Sequence, residues 1–510
     1  MARRLGALAL PVEIVALALL LLPAASAGPG ANFRVSVATG GGQGNGRSFF
    51  PAISADGRFA AFYSDASNLV AGDTNGVRDV FVYDRQTGET ARVSINTAGV
   101  EANGDSFAPA ISADGRFLTF SSAASNLVAD DMNGVDDVFV RDREENRTTR
   151  VSFAPGGAEA NGGSYSPTIS ADGHRVAFLS DATNLVLGDT NSVRDVFVVD
   201  PQGATTTRAS VNSAGDVQAN VDSVTPVISG DGRFVAFTSF SDNLVPDDLN
   251  ESSDVFVRDL QANTTTRVSE YQGGFEADFD NLRPSISADG RFVAFDSDAA
   301  NLAWGDTNDT FDVFVKDRQT GILTRVSVND AGEEGSGDSV RPAISADGRV
   351  VGFSSEVANL VPGDTNGSTD IFVHDRRSGA TKRVSITAGG AEANGDSVRP
   401  AISADGRLVV FESDASNLVA GDSNNFTDVF LNDPSAPAPP PPAPTVRCKV
   451  PQVIGLRLAT ARKRIGRAHC RVGRVRRARS RRVGRVLSQS PRAGSVRPRG
   501  TRVKLVVGRR

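Results

Sequence analysis

Residues 51–62 read Pro-Ala-Ile-Ser-Ala-Asp-Gly-Arg-Phe-Ala-Ala-Phe: a short strand, a tight turn at Ala55-Asp56-Gly57, and a second, apolar strand. The unit restarts at Pro109, Pro167, Pro226, Pro284, Pro342 and Pro400, at spacings of 58, 58, 59, 58, 58 and 58 residues. Seven copies at a fixed period mean a repeat architecture.

Outward from Pro51, residues 52–54 form strand A and Asp56-Gly57 the hairpin turn, with Gly supplying positive φ. Strand B covers 59–64, and its near-continuous apolar character predicts a sheet buried on both faces. A polar loop, 65–78, leads to strand C, Asp79-Val-Phe-Val-Tyr-Asp84, which alternates with period two. Arg85-Gln-Thr-Gly88 makes a second hairpin turn into strand D, 90–95, and a Gly-, Asn- and Asp-rich loop, 96–105, leads to the next proline. Four antiparallel strands per unit make one β-propeller blade.

The ends of the array say how it closes. The seventh unit runs through Asp428-Val-Phe-Leu-Asn432 and breaks into Pro-rich sequence without its own strand D. The missing strand stands at the N-terminus as Phe33-Arg-Val-Ser-Val37, matching Arg92-Val-Ser-Ile95. A split unit of this kind removes exposed strand edges by closing a ring. The expected fold is all-β: a closed seven-bladed propeller over residues 33–433, with four-stranded blades and the N-terminal strand completing the last. A small α+β domain follows it.

The repeat resembles that of the TolB-like β-propellers, roughly Trp-Ser-Pro-Asp-Gly, an apolar strand, then Asp-Ile-Tyr. Here it stands as Ile53-Ser-Ala-Asp-Gly57, Phe59 to Phe62, and Asp79-Val-Phe81, with Ile for Trp and Ala for Pro. The resemblance covers about 400 residues and rests on recurrence rather than on one motif. The α/β domain that precedes the propeller in TolB has no counterpart, so no TolB partner carries over.

Charge divides the chain in two. Of its 54 Lys and Arg, 22 lie in residues 446–510, which contain no Asp or Glu; the other 32 face all 60 acidic residues, leaving that part at −28. The N-terminus reads as a secretory signal over residues 1–27: Arg3 and Arg4, an apolar core at 14–22 interrupted upstream by Glu13, and the small-residue site Ala25-Ser-Ala27. An uncleaved anchor is the alternative. No other segment is apolar enough to span a membrane, so a secreted, wall-associated monomer beginning near Gly28 is expected. Export directs the basic tail toward anionic wall polymers rather than nucleic acid.

Residues 434–445 are a Pro-rich spacer. Beyond it, Leu458, Ala461, Ile465 and Ala468 form one helical stripe, and strand-like pieces follow at 471–475, 484–488 and 501–507. Residues 446–510 resemble a single PASTA domain through Val450-Pro-Gln-Val-Ile-Gly455, the helix start at 459–461, Ser488-Gln-Ser-Pro-Arg-Ala-Gly494 and Gly500-Thr-Arg-Val-Lys-Leu-Val506. The resemblance implies an extracytoplasmic module associated with peptidoglycan recognition. The heavy Arg load departs from the family and would favour teichoic acids or other polyanions. The two cysteines, Cys448 and Cys470, flank the helix, and an even pair in a small exported domain reads as a disulfide.

Between strands B and C every unit keeps Asp-x-Asn-x-x-x-Asp. The residues are Asp73, Asn75 and Asp79; Asp131, Asn133 and Asp137; Asp189, Asn191 and Asp195; and Asp248, Asn250 and Asp254. Asp306, Asn308 and Asp312, then Asp364, Asn366 and Asp370, then Asp422, Asn424 and Asp428 complete the set. Oxygen donors at this spacing suit Ca²⁺, and a calcium-binding structural or adhesive propeller is one expectation. The other is Asx turns capping strand C, copied by internal duplication.

Alternating strand direction puts the B–C and D–A loops on one face, whose carboxylates suggest a surface for cations or cationic ligands; a protein or glycan is the expected class of partner there. Catalysis lacks a motif. His174, His374 and His469 each stand alone, so a hydrolase or lyase acting on polysaccharide would need a site assembled from different blades, with Trp304 or His374 as places to look.

Overall fold

The computed structural model describes residues 31–200, 205–271, 273–436, 448–497 and 501–510. The expected signal segment and residues 437–445 of the spacer lie outside the described residues. Two compact units result, Met1–Ala438 and Pro439–Arg510.

In the first unit each repeat forms one antiparallel sheet in the order A-B-C-D. Strands B and C of the first blade, Phe59–Ser64 and Asp79–Asp84, are buried almost throughout, as the apolar run requires. Phe62 stacks on Phe81 across the pair at 6.0 Å between ring centroids. Every blade repeats this pair, ending with Phe411 and Phe430 at 6.1 Å. Such a contact is worth about 0.5–1.5 kcal/mol beyond its buried area.

Strand A is longer than the sequence suggests. It spans Ser48–Ile53, with a register shift between Phe49 and Ala52. Phe50 sits in the left-handed region at φ 49°, and its six counterparts, Ala108, Ser166, Thr225, Arg283, Arg341 and Arg399, do the same at 49–58°. The proline that follows has no N–H for the ladder, so the strand bulges there and resumes. Strand D is shorter, Glu89–Arg92, because the chain then turns to place Ser94 against strand C.

The ring closes twice. Strand Ala31–Arg34 pairs antiparallel with Asp428–Asp433, Ala31 opposite Asp433, so the N-terminal strand completes the seventh blade. At the axis, the A–B turns are chained by backbone hydrogen bonds. Ala55 N–H donates to Ala113 (3.0 Å), Ala113 to Ala171 (2.9 Å) and Ala171 to Gly230 (2.9 Å). Asp231 donates to Ala288 (2.9 Å), Ala288 to Ala346 (3.0 Å), Ala346 to Ala404 (3.0 Å), and Ala404 back to Ala55 (3.0 Å). Gly57 in this turn has φ 70°, and a Cβ there would stand 2.1 Å from Leu408 Cδ1 of the neighbouring blade. Glycine is required on both counts.

The second unit packs one helix on a three-stranded sheet. Helix Leu458–Arg467 buries Ala461 and Ile465. Strand Arg502–Arg509 lies between Arg471–Arg479, parallel to it, and Val486–Ser490, antiparallel. Val453, Val486, Val503 and Leu505 complete the core with bonded Cys448 and Cys470.

Candidate functional site

The Asp-x-Asn loops hold an arginine. In the first blade Arg92 Nη1 lies 3.5 Å from Asp73, 2.9 Å from Asp79 and 2.7 Å from Glu101. Asn75 does not present its oxygen outward: its Nδ2 donates to Asp79 (2.9 Å) and to the Ala102 carbonyl (3.0 Å), and its Oδ1 accepts from Val77 N–H (3.3 Å). Asp79 also accepts from Ser94 Oγ.

The other blades repeat the node. Arg150 meets Asp131, Asp137 and Glu159 at 3.2, 3.3 and 2.9 Å. Arg208 meets Asp189 and Asp195 at 3.0 and 3.1 Å, with Gln218 in place of the Glu. Arg267 meets Asp248, Asp254 and Glu276 at 3.4, 3.5 and 2.5 Å. Arg383 meets Asp364, Asp370 and Glu392 at 2.9, 3.0 and 3.0 Å. Arg34, on the strand that closes the ring, meets Asp422 and Asp428 at 2.7 and 3.3 Å. Asn133, Asn191, Asn250, Asn366 and Asn424 donate to the last Asp of their loops, and Asn308 donates to the Gly335 carbonyl.

Asp306, Asp312 and Glu334 bring one oxygen each within 4.8 Å of one another. Arg325 Nη1 already stands 3.4, 2.9 and 2.7 Å from the three. A Ca²⁺ ion bridging these carboxylates would have to displace a guanidinium, and the same holds in every blade. Burial raises the acids: Asp254 is pushed up to about 7, and Asp131, Asp248 and Asp312 to about 6.

At the opposite ends of the strands the balance reverses. Arg58 makes a bidentate pair with Asp84, at 3.0 and 2.7 Å. The matching arginines, Arg233, Arg291 and Arg349, hold Asp259, Asp317 and Asp375 down to about 2.

Unlike these nodes, the residues at the inner-strand bulge differ from blade to blade. Phe50 stacks on Tyr63 at 5.6 Å, and Thr225 bonds Thr238 at 3.2 Å. In the last three blades the position is Arg283, Arg341 and Arg399. Arg283 pairs with buried Asp296, and Arg399 with buried Glu412 while lying 4.2 Å over the Phe50 ring. Sequence reasoning passed over these positions, whose one visible signal is Arg-Pro at the start of three consecutive units. His374 is buried against Thr381 at 2.9 Å, away from this cluster's partners. Trp304 is 95% exposed on its B–C loop, and Leu187, Met132 and Leu249 on the preceding three blades are 91%, 82% and 79% exposed.

In the second unit, a groove of about 310 Å³ on the sheet is lined by Arg474, Arg476, Ser488, Gln489, Ser490 and Lys504, among others. The PASTA family model matches residues 449–509. Residues 449–509 are a PASTA domain. No curated protein sequence matches the chain.

Among solved structures, the chain is similar to TolB from Acinetobacter baumannii, at 14% identity and TM-score 0.36, covering 66% of this chain and 62% of that one. It is similar to oligogalacturonate lyase from Vibrio parahaemolyticus, at 12% identity and TM-score 0.47, covering 76% and 90%. The propeller domain of the Trilobed protease from Pyrococcus furiosus gives 11% identity and TM-score 0.48, covering 78% and 99%. The propeller assignment rests on this chain's own strand pairing. The disulfide and the PASTA domain point to an extracytoplasmic protein.

Proposed function

We propose that this is a non-enzymatic, extracytoplasmic binding protein. Its PASTA domain associates with the cell wall, through peptidoglycan or an anionic wall polymer, and its propeller presents the loop-bearing rim to a protein or glycan ligand. The observation that carries the reading is the PASTA domain with its basic groove: Arg474, Arg476 and Lys504 converge on one sheet face, in a segment with 22 basic and no acidic residues. Clustered cations on one face attract a polyanion and raise its local concentration.

For the propeller rim, the internal arginines change what a partner meets. The repeated carboxylates are paired inward, and exposed Met132, Leu187, Leu249 and Trp304 stand on four consecutive B–C loops. This favours a ligand with apolar surface over a simple cation. We read the Asp-x-Asn loops as internal ion-pair nodes rather than Ca²⁺ sites, on the position of the guanidinium.

The test is sedimentation of the mature protein with isolated cell walls, before and after anionic polymers are stripped, beside a chain lacking residues 446–510. Loss of co-sedimentation on deletion supports wall association, and loss on stripping or at high salt identifies the polyanion. Undiminished co-sedimentation of the shortened chain would overturn it.

A further inference from the structure

Three adjacent blades place an arginine at the same inner-strand bulge, where the other four carry Phe50, Ala108, Ser166 and Thr225. Two of the three are committed. Arg283 is paired with Asp296, whose side chain is fully buried, and Arg399 with Glu412, which is 3% exposed. Arg341, between them in blade order, donates its backbone N–H to Asp296, while its guanidinium has no hydrogen-bond or ion-pair partner among the described residues. It is half-buried and lies within the fields of Arg399, Arg283, Asp296 and Glu412. Each carboxylate of the cluster is thus ion-paired to another arginine, and the Arg341 guanidinium stands near two like charges with no ion pair of its own.

That arrangement is costly unless something fills it. Three guanidinium groups against two carboxyl groups leave at least one positive charge, carried on a planar fork that matches an oxyanion bidentately. On the far side of Arg399, Phe50 is 39% exposed, with its ring under the Arg399 guanidinium and its N–H on Glu412. A surplus cation and an exposed aromatic ring on one run of bulges match a ligand with the same two parts.

We propose that the inner-strand bulges of blades 5 to 7 and 1 form a binding site for one carboxylate, carried next to a flat or apolar group. Arg341 is the residue that takes the carboxylate, Arg283 and Arg399 hold the flanking acids in place, and Phe50 receives the apolar part. The site is distinct from the wall-binding groove of the PASTA domain and stands whether or not that domain binds the wall.

The experiment is fluorine NMR of the full mature chain with 4-fluorobenzoate as the probe and neutral, isosteric 4-fluorobenzamide as control. The benzoate is expected to bind and the amide not to. Arg341→Gln is expected to weaken binding at least about tenfold, Arg341→Lys less, and Phe50→Ala roughly threefold. Because the Arg341 guanidinium has no ion pair among the described residues and Gln keeps the backbone N–H on Asp296, Arg341→Gln is expected to melt with the wild type, which separates loss of binding from loss of fold. Three outcomes would each overturn the proposal: no benzoate binding, equal binding by Arg341→Gln (the basic tail then being the binder), or equal binding of the amide.

Discussion

The seven rim nodes and the inner-strand cluster are built from the same groups, arginine and buried carboxylate, yet they differ in symmetry and in how completely they are satisfied. Arg92 has three carboxylates around it, and every other node arginine has two or three. The Arg341 guanidinium is ion-paired to none. Repetition in a propeller marks what every blade needs in order to stand, here a cation tying strand D to the B–C loop. Departure from repetition marks what one ligand needs. On our proposal the recurring acids are scaffold, and the place where the repeat breaks is the place to look for binding.

Substitutions can break that contrast in order of severity. Arg267→Ala leaves Asp248 and Asp254 buried without their cation, and removing one partner from a buried pair costs about 3–5 kcal/mol. Denaturant unfolding should show it as a large loss. Arg283→Ala strips one acid, Asp296, rather than two, and that carboxyl, pushed up to about 7 by burial as Asp254 is, takes up a proton in relief. The expected cost is about 1–3 kcal/mol, larger at pH 8 than at pH 6. Arg341→Gln should change stability by less than about 0.5 kcal/mol. If Arg341→Gln proved as damaging as Arg267→Ala, the distinction between scaffold and site would collapse.

Proton linkage sharpens the same comparison. Asp254 and Asp296 titrate at about 7 when folded against about 3.9 unfolded, so the folded state holds their protons more tightly. Their contribution is complete below about pH 4 and lost as pH rises through 7. Asp259, Asp317 and Asp375, held at about 2 by arginine, contribute above about pH 4 and lose this as pH falls toward 2. The melting temperature should therefore peak near pH 4 to 5, a placement that scanning calorimetry across pH 2–9 checks. The smallest expected effect is that of a chelator. With guanidinium groups in the loops, EDTA should leave the melting temperature unchanged, and a marked drop would restore the loops as Ca²⁺ sites.

Strands B and C of the first blade fall at the residues the sequence predicts, Phe59–Ser64 and Asp79–Asp84, and the split seventh blade closes as its missing strand implies. Period-two alternation, Asp-Gly turns and recurrence are written in neighbouring residues, so they can be read without coordinates. The helix stripe Ala461 and Ile465 and the Cys448–Cys470 bond are legible for the same reason. The ends of strand A are not, because the bulge at Phe50 hides where the ladder resumes.

Neither are the two arginine systems. Arg92 reaches Asp79 across a strand pair, 13 residues on, and this makes a cation-like loop into a filled one. Arg283, Arg341 and Arg399 stand a whole repeat apart and meet only because the ring brings their bulges to one end of the inner strands. Local chemistry decides the blade. Which charges are satisfied and which is left waiting depends on distances between residues that only closure of the ring brings together.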